Sequence, residues 1–302
     1  MTIENTNAIK PEGNLVMIVY GKGGAGKTTF AASAPNPLIL DFENGTKYLG
    51  ERGISVDVVR MKEWFTQQDL NELAAMLRTH DTVVIDPLGE AMEKLINSKD
   101  IKGKQYRQSD GSLTMSGWGE VKKQMRGFIK WLRDSGKHVI IVSHVSEIQT
   151  EQGLEKRIQV ATKLSDEIPN MVDVISYLSI QKQDENFARV LYTPAQGGLF
   201  DSKDRTGRVP MVVEIGEHTG WADFMASLAP PVQSIADTPT VKAPTQHPSM
   251  ITAEQSEQMQ ALAKRMADPA GKAYLMQKAV SPIPYAEADE IIRRATASLG
   301  GK

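Results

Sequence analysis

Short runs of apolar and often β-branched residues alternate, along the first two thirds of this chain, with longer segments of helical or loop character. The runs that predict buried strands are residues 15–20, 38–42, 56–59, 82–86 and 138–143. Strands that alternate with helices in this way are typical of a parallel sheet covered by helices on its faces. The pattern therefore predicts an α/β fold.

The later part of the chain has a different pattern. Runs at residues 174–181 and 188–193 predict an antiparallel hairpin, and a further run follows at 209–215. Residues 229–250 are rich in Pro, Ala, Thr and Ser and predict a disordered linker. The remainder has helical composition, and Thr252, three residues before Gln255, predicts a capping box. The expected organisation is a disordered tail at 1–13, an α/β domain at 14–228, the linker at 229–250 and a small helical module at 251–302.

The first strand leads directly into the glycine-rich sequence GKGGAGKTT, residues 21–29. It fits the pattern G-x-x-x-x-G-K-[ST], in which glycines let the backbone wrap around phosphates at a helix N-terminus. Lys27 is predicted to reach the β- and γ-phosphates of ATP, and the Thr28 hydroxyl to hold Mg²⁺. The predicted nucleotide-binding residues are Gly21, Gly23, Gly24, Ala25, Gly26, Lys27, Thr28 and Thr29.

The same loop also fits a second pattern. Lys22 begins the sequence Lys-Gly-Gly-x-Gly-Lys-Thr, the variant used by ParA- and MinD-like switches. The phosphate chemistry is the same under both patterns, so the loop alone leaves open a hydrolase and a switch that positions a partner. A glycine-rich turn without a ligand is a further alternative, which the preceding strand and the following helix disfavour.

Polar residues follow several strands at the edge where open α/β sheets bind their ligands. Asp86 ends the run TVVID and is predicted to support Mg²⁺, as in a Walker B strand. Asp41 and Glu43 lie at the end of the second run, and Glu43 is the predicted base that deprotonates the attacking water. His144 ends another run and is predicted to sense the γ-phosphate through a hydrogen bond. The alternatives are turn-capping acids and an ordinary strand-end histidine.

A charged loop, SKDRTGR at residues 202–208, follows the hairpin. Lys203 and Arg205 lie two residues apart, so in an extended loop they project to the same side. We predict that they reach the phosphates of a neighbouring subunit as paired cationic fingers. A solvated charged turn is the alternative.

Composition narrows the classes of function. The chain has 302 residues, of which 24% are charged and 40% hydrophobic, as is ordinary for a soluble protein. It has no cysteine, which excludes disulfides, thiolate catalysis and Cys-based zinc sites and suits a cytoplasmic protein. No apolar N-terminal segment or run of about 18 apolar residues is present, so neither a secretory signal nor a membrane span is expected. A net charge of −2 means that nucleic-acid binding would depend on local basic patches.

One such patch lies at residues 99–133, where nine Lys or Arg stand against three Asp or Glu. A flexible basic loop with aromatic residues, at 101–119, suits single-stranded DNA, because cations follow the phosphates and rings stack on bases. A second candidate loop follows His144, although acids lie within it. A solvated charged face is the alternative. The candidate DNA contacts are Lys102, Lys104, Arg107 and Trp118 in the first loop and Lys156 and Arg157 in the second.

The order of these motifs separates the two families that share the loop. GKGGAGKTT, LILDFENG, TVVIDP, IIVSHV and KDRTG, in this order, resemble the RecA-like core, with a K-x-R-x-G finger similar to that of DnaB and KaiC. More closely, YGKGGAGKTTFAASAP and KDRTGR resemble the phage-encoded RecA-like single-strand annealing ATPases, over residues 14–228. ParA-like proteins usually have a longer helix after the loop and lack the late K-x-R sequence. Where RecA has a glutamine sensor, this chain has His144.

The resemblance implies a RecA-like P-loop core with a mostly parallel sheet, a C-terminal antiparallel hairpin and an appended helical module. It implies an ATPase that uses ATP and Mg²⁺ and binds single-stranded DNA in recombination or annealing. It also implies a homo-oligomer, ring or filament, in the bacterial host cytoplasm, with a single-strand-binding protein as a candidate partner and no membrane. Two alternatives stay open: a ParA-like switch without DNA-strand chemistry, and an annealing protein that uses ATP only for assembly.

Overall fold

The computed structural model describes residues 13–151, 153–160, 167–183, 186–193, 200–230, 252–281 and 285–300. The chain divides into two compact units, Met1–Pro231 and Val232–Lys302. Each unit has its own hydrophobic core. The predicted tail, apart from Gly13, and the predicted linker, apart from residues 229 and 230, lie outside the described residues.

The first unit is built on a mixed sheet, of which ten strands lie in its described residues. They are β1 (Val16–Gly21), β2 (Pro37–Asp41), β3 (Asp57–Arg60), β4 (Thr82–Asp86), β5 (His138–Thr150), β6 (Gly153–Ile158), β7 (Val174–Gln183), β8 (Asn186–Tyr192), β9 (Lys203–Asp204) and β10 (Val212–Ile215). The strand order is β10-β8-β7-β1-β5-β4-β2-β3, with β6 beside β5 and β9 beside β7.

Most strand pairs near the centre of this sheet are parallel. β1 pairs in parallel with β5 and β7, β4 with β5 and β2, and β2 with β3. β8 is antiparallel to β7 and to β10, and β5–β6 and β7–β9 are also antiparallel. The predicted α/β class, with its mostly parallel sheet and its C-terminal hairpin, is confirmed.

Helices cover both faces of the sheet, and the central strands β1, β2 and β4 are buried at every position. The helices of this unit are α1 (Lys27–Ala32), α2 (Gln67–Met76), α3 (Leu88–Ile96), α4 (Met115–Arg133), α5 (Ile168–Met171) and α6 (Gly220–Ser227). Successive side chains of a strand point to opposite faces. Ile18 and Tyr20 therefore join the core beneath α2, α3 and α4, whereas Met17 and Val19 join the core beneath α1 and α6. This two-sided burial holds β1 in the centre of the unit.

Two segments differ from the sequence-based expectation. β5 does not end at Ser143 but continues to Thr150, and its extension pairs with β6 where a loop was predicted. The loop predicted at 101–119 ends early, because Thr114 caps α4 by accepting a hydrogen bond from the Gly117 amide at 3.0 Å. Both errors arise because polar strands and helix ends with ordinary composition have a weak local signal.

The second unit contains three helices in its described residues, α7 (Ala253–Arg265), α8 (Pro269–Ala279) and α9 (Tyr285–Gly300). Its core includes Met259, Leu262 and Leu275. The predicted capping box is present: the Gln255 amide donates to Thr252 Oγ1, and the Thr252 amide donates to Gln255 Oε1, each at 3.1 Å. No helix among the described residues of the chain is long and apolar enough to cross a membrane.

Candidate active site

The sheet order brings the predicted site residues to one edge. β5 lies between β1 and β4, and β2 lies on the far side of β4. These strands are parallel, so their carboxyl ends meet at the same edge. The register places Gly21 opposite His144, and Asp41 opposite Asp86. The phosphate loop, both strand-end aspartates and His144 therefore share one region.

The phosphate loop has the backbone geometry for which its glycines are required. Gly24 has φ +78° and Gly26 has φ +97°, a left-handed conformation that side chains other than glycine rarely adopt. A Cβ atom on Gly26 would also lie 2.8 Å from Nε of Arg189. Conformation and close packing both restrict position 26 to glycine. Beside the loop, a cavity of about 410 Å³ lies between Gly21, Gly23 and His144.

Lys27 is held inside the loop. Its ammonium donates to the carbonyl oxygens of Gly21, at 3.0 Å, and Lys22, at 2.9 Å. Burial lowers the pKa of Lys27, and the negative charges of Asp86 and Glu43 act in the opposite direction. A desolvated ammonium that has only carbonyl partners is well suited to bind phosphate oxygens.

Asp86 has a carboxylate oxygen without a partner among the described residues. The residue is 1% exposed, and its Oδ2 atom is buried and accepts no hydrogen bond from them. Burial raises the pKa of Asp86 to about 6, and a hydrogen bond from Thr28 opposes that rise. An unsatisfied buried oxygen is costly unless a ligand completes it. Asp86 and the Thr28 hydroxyl together are the hard oxygen donors that Mg²⁺ prefers, and so they fit this ion.

The structure distinguishes the two acids at the C-terminal end of β2, Asp41 and Glu43. The Asp41 carboxylate accepts hydrogen bonds from the amides of Glu43 (3.3 Å), Gly45 (3.0 Å) and Thr46 (3.1 Å), and from the Thr46 hydroxyl (2.6 Å). Asp41 therefore caps the turn. The Glu43 side chain is 37% exposed, and its Oε2 lies 3.4 Å from Nε2 of His144. Of the two carboxylates, Glu43 is the one that a water molecule can reach.

Lys203 and Arg205 lie at the opposite end of β1. Lys203 Nζ donates to the Pro169 carbonyl at 2.6 Å, and Arg205 donates to the Asn170 carbonyl at 2.9 Å and to Asp173 at 3.3 Å. Asp173 in turn accepts from the amide of Val16, the first residue of β1. These two cations therefore belong to the amino edge of the sheet, and their role as fingers stays a prediction.

Of the four candidate DNA contacts in the first loop, two are exposed and two are engaged within the chain. Lys102 and Lys104 are exposed. The Arg107 guanidinium instead donates to the carbonyls of Ile101, Gly111 and Ile96, and so holds its own loop together. Trp118 is half-buried in α4 and packs against the core.

The second set lies on the β5–β6 hairpin and is largely engaged within the chain. Lys156 Nζ lies over the rings of Tyr177 and Phe200, 4.8 and 5.0 Å from their centroids. Arg157 pairs with Asp201 at 2.7 Å and with Glu155 at 2.6 Å. These hydrogen bonds, above all the one that Arg157 donates to Asp201, raise the pKa of Arg157.

The phosphate loop makes two further side-chain contacts within the chain. Lys22 pairs with Glu147 of β5 at 2.9 Å, which raises the pKa of Lys22 through the hydrogen bond and the charge of that acid. Arg52 donates to the Thr29 hydroxyl at 3.3 Å.

Arg189 is a contact of the phosphate loop that the sequence analysis missed. Its Nε is buried beside Gly26 without a hydrogen-bond partner in the described part of the chain, and its Nη1 lies 3.6 Å from Glu217, which also pairs with Arg52. Arg189 is two residues from the buried Leu191, so it occupies an inward-facing position of β8. The sequence indicated this contact only by placing a charged residue at an inward-facing position of the alternating β8 pattern.

One comparison with known proteins, a match to a family model, agrees with a nucleotide site. A family model described as an AAA domain matches residues 13–206. None of the curated proteins compared with the chain matches it. Among solved structures, a KaiC-like protein from the hyperthermophilic archaeon Pyrococcus horikoshii OT3 is 12% identical, covers 68% of this chain and 87% of its own, and has a TM-score of 0.37. A likeness at that level carries no argument about the site.

Proposed function

Since the chain belongs to the AAA domain family over residues 13–206, and is thus a P-loop ATPase domain, we propose that it hydrolyses MgATP while bound to single-stranded DNA, in phage-type recombination or strand annealing. The observation that carries the hydrolytic part is the meeting of Lys27, Asp86 and Glu43 at one edge of the sheet. The DNA part is supported by the motif order of the RecA-like annealing ATPases and by the exposed lysines at residues 99–104.

The proposed chemistry assigns a different task to each residue of this edge. Lys27 exchanges its carbonyl partners for the β- and γ-phosphate oxygens of ATP. Thr28 and Asp86 hold Mg²⁺, which when bound neutralises charge on the phosphates. Glu43 accepts the proton of the attacking water. His144, within 3.4 Å of Glu43, orients that carboxylate and hydrogen-bonds to the γ-phosphate.

We further propose a homo-oligomer in which Lys203 and Arg205 complete the site of a neighbouring subunit. β1 has six residues, so its ends are separated by roughly 17 Å at 3.3 Å per residue. Lys203 and Arg205 lie at the amino end, and the phosphate loop follows the carboxyl end. The phosphate loop of the same subunit is therefore out of reach of both side chains, which favours action on the phosphates bound by a neighbouring subunit.

The finger proposal predicts complementation between two inactive variants. Arg205→Ala should lose hydrolysis but keep most of its ATP affinity, because a finger in trans contributes about 10³ to 10⁵ in rate in other nucleotide hydrolases. Lys27→Ala should lose binding at its own site yet still present an intact finger. Steady-state hydrolysis of a mixture should recover part of the wild-type rate. If the mixed variants co-assemble but stay inactive, Lys203 and Arg205 either act within one subunit or are only part of a charged turn.

The DNA part of the proposed function is tested by hydrolysis with and without oligo-dT. We expect the rate of ATP hydrolysis to rise severalfold with the oligonucleotide and the affinity to fall with increasing salt, since cation–phosphate contacts release counterions. A rate that is indifferent to DNA, with no binding even at low salt, would favour the ParA-like switch. The variant Glu43→Gln distinguishes DNA-dependent hydrolysis from the second alternative, in which ATP is used only for assembly.

A further inference from the structure

A large groove lies on the α2–α4 face of the sheet. Its volume is about 1010 Å³, and it is bounded by α2, the C-terminal end of α3, the 3₁₀ turn Lys99–Ile101 and α4. One wall is aromatic: Trp64 lies 5.3 Å from Phe128, and Phe128 is stacked on Trp131 at 6.0 Å between ring centroids. Trp131 is 36% exposed, although it is an apolar ring. The groove thus presents flat aromatic surface to solvent.

Four lysines line the same groove: Lys62, Lys94, Lys99 and Lys102. Within the part of the chain that the structure describes, none of the four has an ion-pair partner. Two acids, Glu63 and Asp100, also line it, so the lining carries a positive excess. Unpaired cations around an aromatic wall favour an anionic ligand that has flat apolar groups.

The lining of the groove has room and an unsatisfied polar atom. The Ser98 Oγ atom is buried and has no hydrogen-bond partner among the residues that the structure describes. Gly127, on the α4 face between Gln124 and Trp131, would have no atom within 4 Å of an added Cβ. A ligand can therefore lie close to the backbone of α4 beside the Trp131 ring.

We propose that this groove binds single-stranded DNA, with bases stacked on Trp131 and Trp64 and backbone phosphates at the four lysines. The inference rests on the proposed DNA-dependent function and assigns it a surface. Of the DNA contacts predicted from the sequence, this proposal includes Lys102 and excludes Lys104, which does not line the groove. A purely apolar protein segment would bury the wall but would leave the lysines unmatched.

The groove is connected to the nucleotide site by two aromatic contacts of Phe42. The Phe42 ring lies 6.4 Å from Trp64, with the rings 28° from parallel, and 6.2 Å from Phe65. Phe42 stands between Asp41 and Glu43, and its amide donates to the Asp86 carbonyl at 2.8 Å. A base stacked on Trp64 would therefore be connected, through Trp64 and Phe42, to the turn that carries Glu43. Bound DNA would in this way position that carboxylate for hydrolysis.

The matched pair Lys102→Ala and Lys104→Ala tests the surface. Both residues are exposed lysines of one loop, and only Lys102 lines the groove. Fluorescence anisotropy with labelled oligo-dT should show weaker binding for Lys102→Ala and a salt slope smaller by about 0.7, the value for one lost phosphate contact on a single strand. Lys104→Ala should match the wild type.

The stacking part is tested with Trp131→Ala and Trp131→Phe. Loss of one stacked base should weaken oligo-dT binding by about fivefold or more. Trp131→Phe keeps an aromatic face and should retain most of the affinity. In Trp131→Ala, hydrolysis without DNA should be unchanged and its stimulation by DNA should be lost. Circular dichroism checks that each variant is folded.

The outcomes separate this inference from the proposed function. A wild-type protein that binds no oligo-dT would overturn both. If the wild type binds oligo-dT but Lys102→Ala and Lys104→Ala behave alike, or Trp131→Ala keeps full affinity, the groove is not the DNA site and the proposed function stands. A change of oligomeric state in Trp131→Ala at unchanged DNA affinity would assign the groove to a protein segment, and would equally overturn the inference.

Discussion

Lys27→Ala is expected to abolish tight MgATP binding and, with it, hydrolysis. The Lys27 ammonium is buried in the phosphate loop and has only the carbonyls of Gly21 and Lys22 as hydrogen-bond partners. Two charge-assisted hydrogen bonds to phosphate oxygens, at about 1.5–3 kcal/mol each, correspond to a loss of affinity of at least about 100-fold. Isothermal titration calorimetry with a slowly hydrolysed ATP analogue measures this directly.

Lys22→Ala is the matched control for that experiment. Lys22 belongs to the same loop, but its side chain is 64% exposed and pairs with Glu147 of the same chain. Its loss should change MgATP affinity by less than about fivefold, because an exposed ion pair contributes at most about 1 kcal/mol. Equal losses in both variants would mean that the loop collapses without either charge. An unchanged affinity in Lys27→Ala would refute the nucleotide site altogether.

Glu43→Gln should lower the rate of ATP hydrolysis by about 10² to 10⁴, the usual contribution of a positioned general base. ATP binding should persist, because Lys27, Thr28 and Asp86 remain intact and the Asp41 hydrogen bonds still hold the turn. Single-turnover hydrolysis measures the rate, and calorimetry measures the affinity. If the rate is unchanged, another group accepts the proton.

Glu147→Gln is the control for this variant. It also removes a carboxylate near the loop, but one that is paired with Lys22 on the β5 extension. Its hydrolysis rate should stay within about threefold of the wild type, since only an exposed ion pair is lost. Strand annealing by Glu43→Gln then decides between the remaining functions. Annealing that survives the loss of hydrolysis would mean that ATP serves assembly alone.

Several features could be predicted because their signal is local. The apolar runs predicted the central strands, since strands buried on both faces need apolar side chains at every position. The capping box at Thr252 and Gln255 was predicted from two residues three apart. The phosphate loop was recognised from glycines that must adopt left-handed backbone angles at positions 24 and 26. Each of these requirements involves residues that are neighbours in the chain.

Other features could not be read from the sequence, because they depend on how a turn or loop folds in three dimensions and not on a pattern of residue types. Which of Asp41 and Glu43 faces solvent is decided by the hydrogen bonds of one turn. Arg107 belongs to a basic loop, yet its charge is satisfied by three backbone carbonyls. The β5 extension was missed since its polar composition resembles that of a loop.

The sequence by itself determined the α/β class of the first unit, the phosphate loop and the strand end that carries Asp86, because hydrophobic period and glycine placement act over a few residues. Only the tertiary structure decided that Arg189 packs on Gly26 from 163 positions away, and that Trp64 and Trp131 line one groove with Lys102. The physical reason is that packing joins surfaces by shape and strand order, which no short stretch of sequence encodes.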